Sequence, residues 1–148
     1  MQTTTLESPI KGHELRQAMR HWASGIAVIT AGPEPLTRIG LVSNSFTSVS
    51  LEPPLVSWCV DRNSSSFEAW CRTPSFSIHI LDEEDVHLVP RFAAKGTDKF
   101  AGLTTHATAV GTPALEAGCV RLDCRAWKTY DGGDHVIIIG EVVCIEPR

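Results

Sequence analysis

Chemistry in this chain is concentrated in three short stretches. Ser43-Asn44-Ser45-Phe46-Thr47-Ser48-Val49-Ser50 and Asn63-Ser64-Ser65-Ser66 are dense in small hydroxyl and amide side chains. The second opens a predicted helix, where converging backbone N–H groups and the helix dipole suit a phosphate. Taken singly, either stretch reads first as helix capping and loop solvation. The third, Arg91-Phe92-Ala93-Ala94-Lys95-Gly96-Thr97-Asp98-Lys99-Phe100, sets cations and two aromatic rings around a glycine. Cations serve a phosphate and aromatic faces serve a planar ring; alone, this is a solvated basic loop. Asp134-His135, at the base of a predicted hairpin, reads either as a turn carboxylate beside a surface histidine or as a histidine placed to meet a substrate.

Several other chemistries lack their signatures. There is no G-x-G-x-x-G after a strand, no G-x-x-x-x-G-K-[ST] loop and no G-x-S-x-G elbow. Any nucleotide must therefore be bound in another way. The six histidines show no metal-ligand spacing, so no metal is expected. Thirteen Lys plus Arg against seventeen Asp plus Glu give a net charge of −4 and a pI near 5.8, which leaves no field to draw nucleic acid. Five cysteines without a Cys-x-x-Cys pair read as packing thiols of a reducing, cytoplasmic compartment. Met1 to Ser8 is polar and the longest aliphatic run, Val136 to Ile139, is far too short for a bilayer, so neither export nor membrane contact is expected. At 148 residues the chain fits one domain, with residues 1–12 as a flexible arm.

The elements that must position these residues are mostly strands. His13 to Trp22 has helical spacing of Leu15, Ala18, Met19 and Trp22, with Gly25 ending the helix. Ile26 to Ala31 and Thr37 to Asn44 flank a Gly32-Pro33-Glu34-Pro35 turn and read as antiparallel neighbours. Leu55 to Val60 is a strand entered through Pro53-Pro54. Phe67, Trp70 and Cys71 mark a short helix capped by Asn63 or Ser64. Phe76, Ile78 and Ile80 alternate with Ser75, Ser77 and His79 as in a half-buried strand. Asp82 to Ala94 is helical, split or kinked at Pro90. Val120 to Ala126 and His135 to Ile145 are long strands joined at Asp131-Gly132-Gly133-Asp134. Trp22, Trp58 and Trp70 are expected in the core, and Trp127 on an exposed face or interface. Six or seven strands with two or three short helices, not regularly interleaved, predict a mainly β, antiparallel sheet closed into a barrel with helices at its ends.

These residues resemble the flavin reductase-like family, the small reductase components of two-component flavin-dependent monooxygenases. The resemblance is carried by Trp22-Ala23-Ser24-Gly25-Ile26-Ala27-Val28-Ile29-Thr30, by Ser43 to Val56 with its Asn-Ser-Phe-x-Ser-Val-Ser-x-x-Pro-Pro-Leu block, by the Lys-Gly-x-Asp-Lys-Phe loop within Arg91 to Gly102, and by Gly133-Asp134-His135 with Ile139-Gly140-Glu141-Val142. It covers the chain from about residue 14 onward.

The resemblance implies an FMN-binding type of split β-barrel, commonly a homodimer, that binds FMN or FAD and reduces it with NADH or NADPH. It implies Ser43, Asn44, Ser45 and Ser48 along the ribityl chain and ring, and Arg62, Ser64, Ser65 and Ser66 toward the flavin phosphate. Arg91 and Phe92 fall within its loop motif, Lys95, Lys99 and Phe100 would close the phosphate or adenine side, and His135 would face the nicotinamide. Three departures stand out: Val42-Ser43 where members more often have Thr-Ala, Pro90 in a helix that members run unbroken into Arg-Phe, and a stop at Arg148 where members commonly add a strand. The last implies a barrel open there or closed by a partner.

Hydride passes between the cofactors, so the protein supplies orientation, worth roughly 7 to 11 kcal/mol in ideal model systems. A site of backbone amides, small hydroxyls and a few cations suffices. Loose flavin binding suits a reductase whose product diffuses to a separate oxygenase. Two further classes stay open at this point: a flavin carrier or electron-transfer protein that does not itself oxidise NAD(P)H, and a barrel with no ligand.

Overall fold

The computed structural model describes residues 9–22, 25–96 and 98–147. The elements run α1 (Gly12–Met19), β1 (Ala27–Ala31), β2 (Ile39–Ser43), β3 (Thr47–Leu51), β4 (Pro54–Asp61), α2 (Phe67–Arg72), β5 (Ser75–Ile80), a 3-10 turn at Glu83–Asp85, α3 (Leu88–Ala93), β6 (Thr105–Ala107), β7 (Pro113–Leu115), β8 (Val120–Gly132) and β9 (His135–Pro147). Seven strands form one antiparallel sheet in the order β2-β1-β5-β8-β9-β4-β3, and β6 and β7 form a separate hairpin. The architecture is a split barrel. The sheet curls over one core, in which Ile29 of β1, Phe76 of β5, Trp58 of β4 and Ile138 of β9 are all buried, and Ile39 and Leu41 of β2 pack against it.

Periodicity explains most of this placement. Val56, Trp58 and Val60 of β4 point inward at every second residue, and Val136 and Ile138 of β9 do the same. Trp58 meets Trp70 of α2 edge to face at 5.1 Å and Phe76 at 5.6 Å, so α2 is anchored by one aromatic contact. β1 is buried along its whole length because it faces two cores. Ala27, Ile29 and Ala31 join the barrel interior, while Val28 on the other face packs with Leu88, Phe92, Phe100 and Leu115. A strand covered on both faces reads as a continuous branched run, as Ile26 to Ala31 does.

The structure corrects the sequence expectations in several places. The Thr47–Leu51 half of the serine-rich stretch is strand β3, and β6–β7 is a further hairpin, giving nine strands among the described residues. The Glu52–Pro53 peptide between β3 and β4 is cis. α1 ends at Met19 with Arg20 as its C-cap, short of Gly25, and buries no side chain. Trp22 is 71% exposed, whereas Trp58 and Trp70 are in the core. Trp127 is exposed. All five cysteines are free, and Cys119 is exposed rather than packed.

Ser66, not Asn63 or Ser64, occupies the N-cap of α2. Pro90 lies in the first turn of α3, where its missing N–H costs no helical bond, so the expected break falls before Leu88. The polar face of β5 is not solvated: Ser77 and His79 are wholly buried beneath Thr112–Leu115. The arm expected over residues 1–12, the Ala23-Ser24 pair and Thr97 of the lysine loop fall wholly or partly outside the described residues. Among the described residues no helix is long and apolar enough to cross a membrane.

Candidate flavin cleft

Where β2 and β4 end and β9 begins, the sheet leaves a cleft of about 320 Å³. One wall is the exit of β2, with Ser43, Asn44 and Ser45. A second is the path from β4 into α2, with Cys59, Asp61, Asn63, Ser64 and Ser65. The third is the end of α3 and its loop, with Ala93, Ala94, Lys95 and Lys99, and His135 stands at the start of β9. The hydroxyl-rich stretches and the lysine loop, far apart in sequence, thus share one cavity.

Hydrogen bonds fix each wall. The Ser45 hydroxyl accepts the amide of Cys59 at 2.9 Å, which ties the β2 exit to β4, and its Oγ lies 3.2 Å from that of Ser43. Asp61 accepts the Asn63 amide at 2.8 Å through its side chain and the Ser64 amide at 2.9 Å through its carbonyl, a local turn of the kind Asp favours. The Lys99 ammonium donates to the carbonyls of Gly40 at 2.8 Å and Phe92 at 2.9 Å, and its burial lowers its pKa. Gly40 has to be small, because a Cβ there would come within 2.7 Å of the Phe92 ring.

His135 is positioned by its hairpin. Its Nδ1 lies 2.7 Å from Asp134 Oδ1, and that contact holds the Asp134 carboxyl below its ordinary range. Arg62 clamps the same turn: Nε donates to the Gly133 carbonyl at 2.7 Å, the guanidinium meets Asp131 at 2.7 Å, and the Arg62 amide donates to the Asp134 carbonyl at 3.0 Å. The hydrogen bond from Arg62 keeps the Asp131 carboxyl acidic. The guanidinium also lies over Phe67, 5.9 Å from its centroid.

Not every residue singled out in the sequence reaches the cleft. Ser43, Asn44, Ser45, Ser64, Ser65, Phe92, Lys95, Lys99 and His135 line it. Ser48 sits on exposed β3, and Arg62 faces the hairpin turn. Arg91 donates to the Ala101 carbonyl at 2.6 Å, and Ser66 and Phe100 line a neighbouring cavity. Phe92 is fully buried and meets Phe100 edge to face at 5.4 Å, so these rings build the second core and offer no open face to a planar ligand. Sequence reasoning did not single out Cys59, Asp61, Ala93 or Ala94 as lining residues. The Asp-x-Asn turn and the Ala-Ala pair beside the lysine loop were the available signals.

The donor set suits a flavin. No hydrogen bond within the chain occupies the side chains of Asn44, Ser65 or Lys95 among the described residues, so an amide, a hydroxyl and a cation are left to a ligand. The walls mix short hydroxyl and amide side chains with the apolar Leu41, Val42 and Phe92, and the volume lies within the range of small-molecule sites. Among the described residues no cluster of His, Cys, Asp and Glu is arranged for a metal.

The chain is similar to several proteins of known activity. A family described as flavin reductase like domain matches residues 19–148. HsaB of Mycobacterium tuberculosis, the reductase subunit of a flavin-dependent monooxygenase, is 32% identical, over 97% of this chain and 79% of its own length. SmoA of Agrobacterium fabrum, an FMN reductase (NADH), is 38% identical, over 86% of this chain and 72% of its own. The structure of the Streptomyces globisporus NADH:FAD oxidoreductase SgcE6 in complex with NAD and FAD fragments superposes with a TM-score of 0.85 at 30% identity, covering 98% of this chain and 87% of that one. The chain belongs to the flavin reductase-like family.

Proposed function

We propose that this protein is an NAD(P)H-dependent flavin reductase that reduces FMN or FAD and supplies the reduced flavin, by diffusion, to a separate flavin-dependent monooxygenase. The observation that carries the reading is the convergence of the β2 exit, the Asn63-Ser64-Ser65 turn and Lys95 with Lys99 on one cleft that has His135 at its rim. A bound flavin supplies a ring that accepts hydride from a reduced nicotinamide.

The chain's own share is binding and orientation. Ser43, Asn44 and Ser45 hold the ring and ribityl side, while Ser64, Ser65, Lys95 and the remaining donor of Lys99 hold the phosphate. His135 meets the nicotinamide. Arg62 and Arg91 act through the segments they brace, and Ser48, Ser66 and Phe100 stand outside the first cavity. The polar and apolar walls of the cleft orient the two reactants, which is where a protein without an acid or base contributes most to hydride transfer.

The protein works as a homodimer in the cytoplasm. The apolar side of α1, with Leu15 58%, Met19 53% and Trp22 71% exposed, supports the dimer, and five free thiols support a reducing compartment. Oxidation of NADH and NADPH, followed with and without added riboflavin, FMN or FAD, tests the activity. Consumption of a nicotinamide that depends on added flavin is expected. A protein that binds flavin yet consumes neither nucleotide is a carrier, and the reductase reading fails.

A further inference from the structure

Helix α1 has an apolar side and no seat for it. It buries no side chain, and Leu15, Met19 and Trp22 follow one another along one face, each exposed. Backbone bonds from His21 to the Ala18 carbonyl at 3.2 Å and from Trp22 to the Met19 carbonyl at 3.0 Å carry the turn on to Trp22. Arg16 and Arg20 lie one turn apart on the flank of this stripe.

A groove of about 330 Å³ has the matching chemistry. It is lined by Ile26, Leu81, Val86 and Val89 together with the acidic Asp82 and Glu83, and both Ile26 and Val86 are exposed in it. Among the described residues, Arg16, Arg20, Asp82 and Glu83 form no ion pair. An apolar stripe flanked by arginines and an apolar groove bearing carboxylates complement each other in surface and in charge.

The chain's own α1 does not fill this groove, although only Ala23, Ser24 and Gly25 separate Trp22 from Ile26. So short a tether gives seating within one chain a high effective concentration wherever the geometry permits it. An open groove beside an unseated helix therefore calls for an arm from outside, and a second copy supplies one. A twofold axis lets two copies exchange arms, so that one dimer closes two such contacts. We propose that α1 of one copy seats in this groove on a second copy, with Leu15, Met19 and Trp22 on its apolar lining and Arg16 and Arg20 toward Asp82 and Glu83. The inference rests on the homodimer reading and gives that dimer its contact surface.

Sedimentation equilibrium of the full chain over a wide range of concentration reads the dimer directly. Met19→Glu places a carboxylate on the arm and Val86→Glu places one in the groove, both at exposed positions. Each should weaken the dimer about tenfold, because the new charge is buried against apolar surface. Glu83→Lys should weaken it about threefold, and Arg20→Glu in the same chain should recover that loss. This charge-reversal pair carries the test if a glutamate variant does not fold. Exchange between copies is read by mixing a Met19→Cys chain with a Val86→Cys chain and adding a bismaleimide. The mixture should give a cross-linked dimer holding one of each, above the background that either chain alone gives through native thiols such as Cys119.

A dimer unmoved by the arm and groove substitutions overturns the proposal and leaves the homodimer reading standing on another face. Weakening by Met19→Glu without weakening by Val86→Glu overturns it too, since the arm then seats elsewhere. A mixture that gives no more cross-linked dimer than its components also overturns it, because arms are then not exchanged. A parent chain that stays monomeric at every concentration removes the homodimer reading and this inference together.

Discussion

Lys99 is joined to Gly40 across 59 residues of sequence, its ammonium 2.8 Å from the Gly40 carbonyl oxygen. The same group donates to Phe92 at 2.9 Å, so one side chain pins the lysine loop to both β2 and α3. Replacing it by Met keeps the aliphatic stem and removes every donor. Two half-buried carbonyls then lose their partner, at a cost of about 1–3 kcal/mol, read as a lower urea midpoint. FMN affinity should fall about tenfold in the same variant, since the cation at the edge of the cleft is gone. Unchanged affinity would remove Lys99 from the binding set.

Gly40→Ala attacks the same junction from the opposite side. The new methyl would press on the Phe92 ring at 2.7 Å, and Phe92 is itself packed against Phe100. Overpacking of this kind costs about 1–3 kcal/mol and should lower the melting temperature by several degrees. Because Phe92 and the adjoining alanines wall the cleft, flavin titration should show weaker binding as well.

Arg62→Gln cuts the clamp on the β8–β9 turn without touching the cleft wall. The KM for the nicotinamide donor should rise roughly fivefold while flavin affinity changes less than about twofold. His135→Ala should show the same split more strongly, in KM or in turnover. Equal loss of flavin affinity in Arg62→Gln would mean that the guanidinium reaches the flavin after all.

Acid should destabilise the protein through His79. Leu115 donates its amide to Nε2 at 3.0 Å, so Nδ1 carries the proton and donates to the Val28 carbonyl at 3.1 Å. Burial pushes the pKa down to about 4 from 6.5, with Arg121 adding to the shift and the Val28 carbonyl and Asp123 opposing it. The unfolded chain takes up a proton below pH 6.5 that the folded chain refuses until about 4. The stabilisation tied to neutral His79 is therefore complete above that window and shrinks as pH falls through it, by up to about 1.4 kcal/mol per pH unit. Urea midpoints between pH 7 and pH 4.5 should show this slope, and His79→Gln should flatten it.

The β framework and the cleft-lining stretches were legible because their signals are local. Alternation marked β5 and β8, and serine density beside lysine marked three walls of the cleft. What escaped depends on long-range cover. Ser77 and His79 look like a wet face until the segment around Thr112 folds over them with its own donors and acceptors. The family resemblance implies Arg62 beside the flavin phosphate, but its partners, Gly133 and Asp131, are about 70 residues away and no spacing rule reaches them. Trp22 fails for the opposite reason: an apolar residue at helical spacing names a face without naming what lies opposite.

Strand order places β8 and β9 between two groups formed earlier in the chain, β2-β1-β5 on one side and β4-β3 on the other. Each earlier hairpin can close by itself during synthesis, yet nothing in the sheet ladder joins them until this pair is inserted. The ladder that joins the two groups and carries His135 to the rim of the dye-binding hollow is therefore completed only by the last strand. Assembly should then resemble closing a zip from both ends toward the middle, and a fragment lacking this pair should stay colourless in a flavin solution.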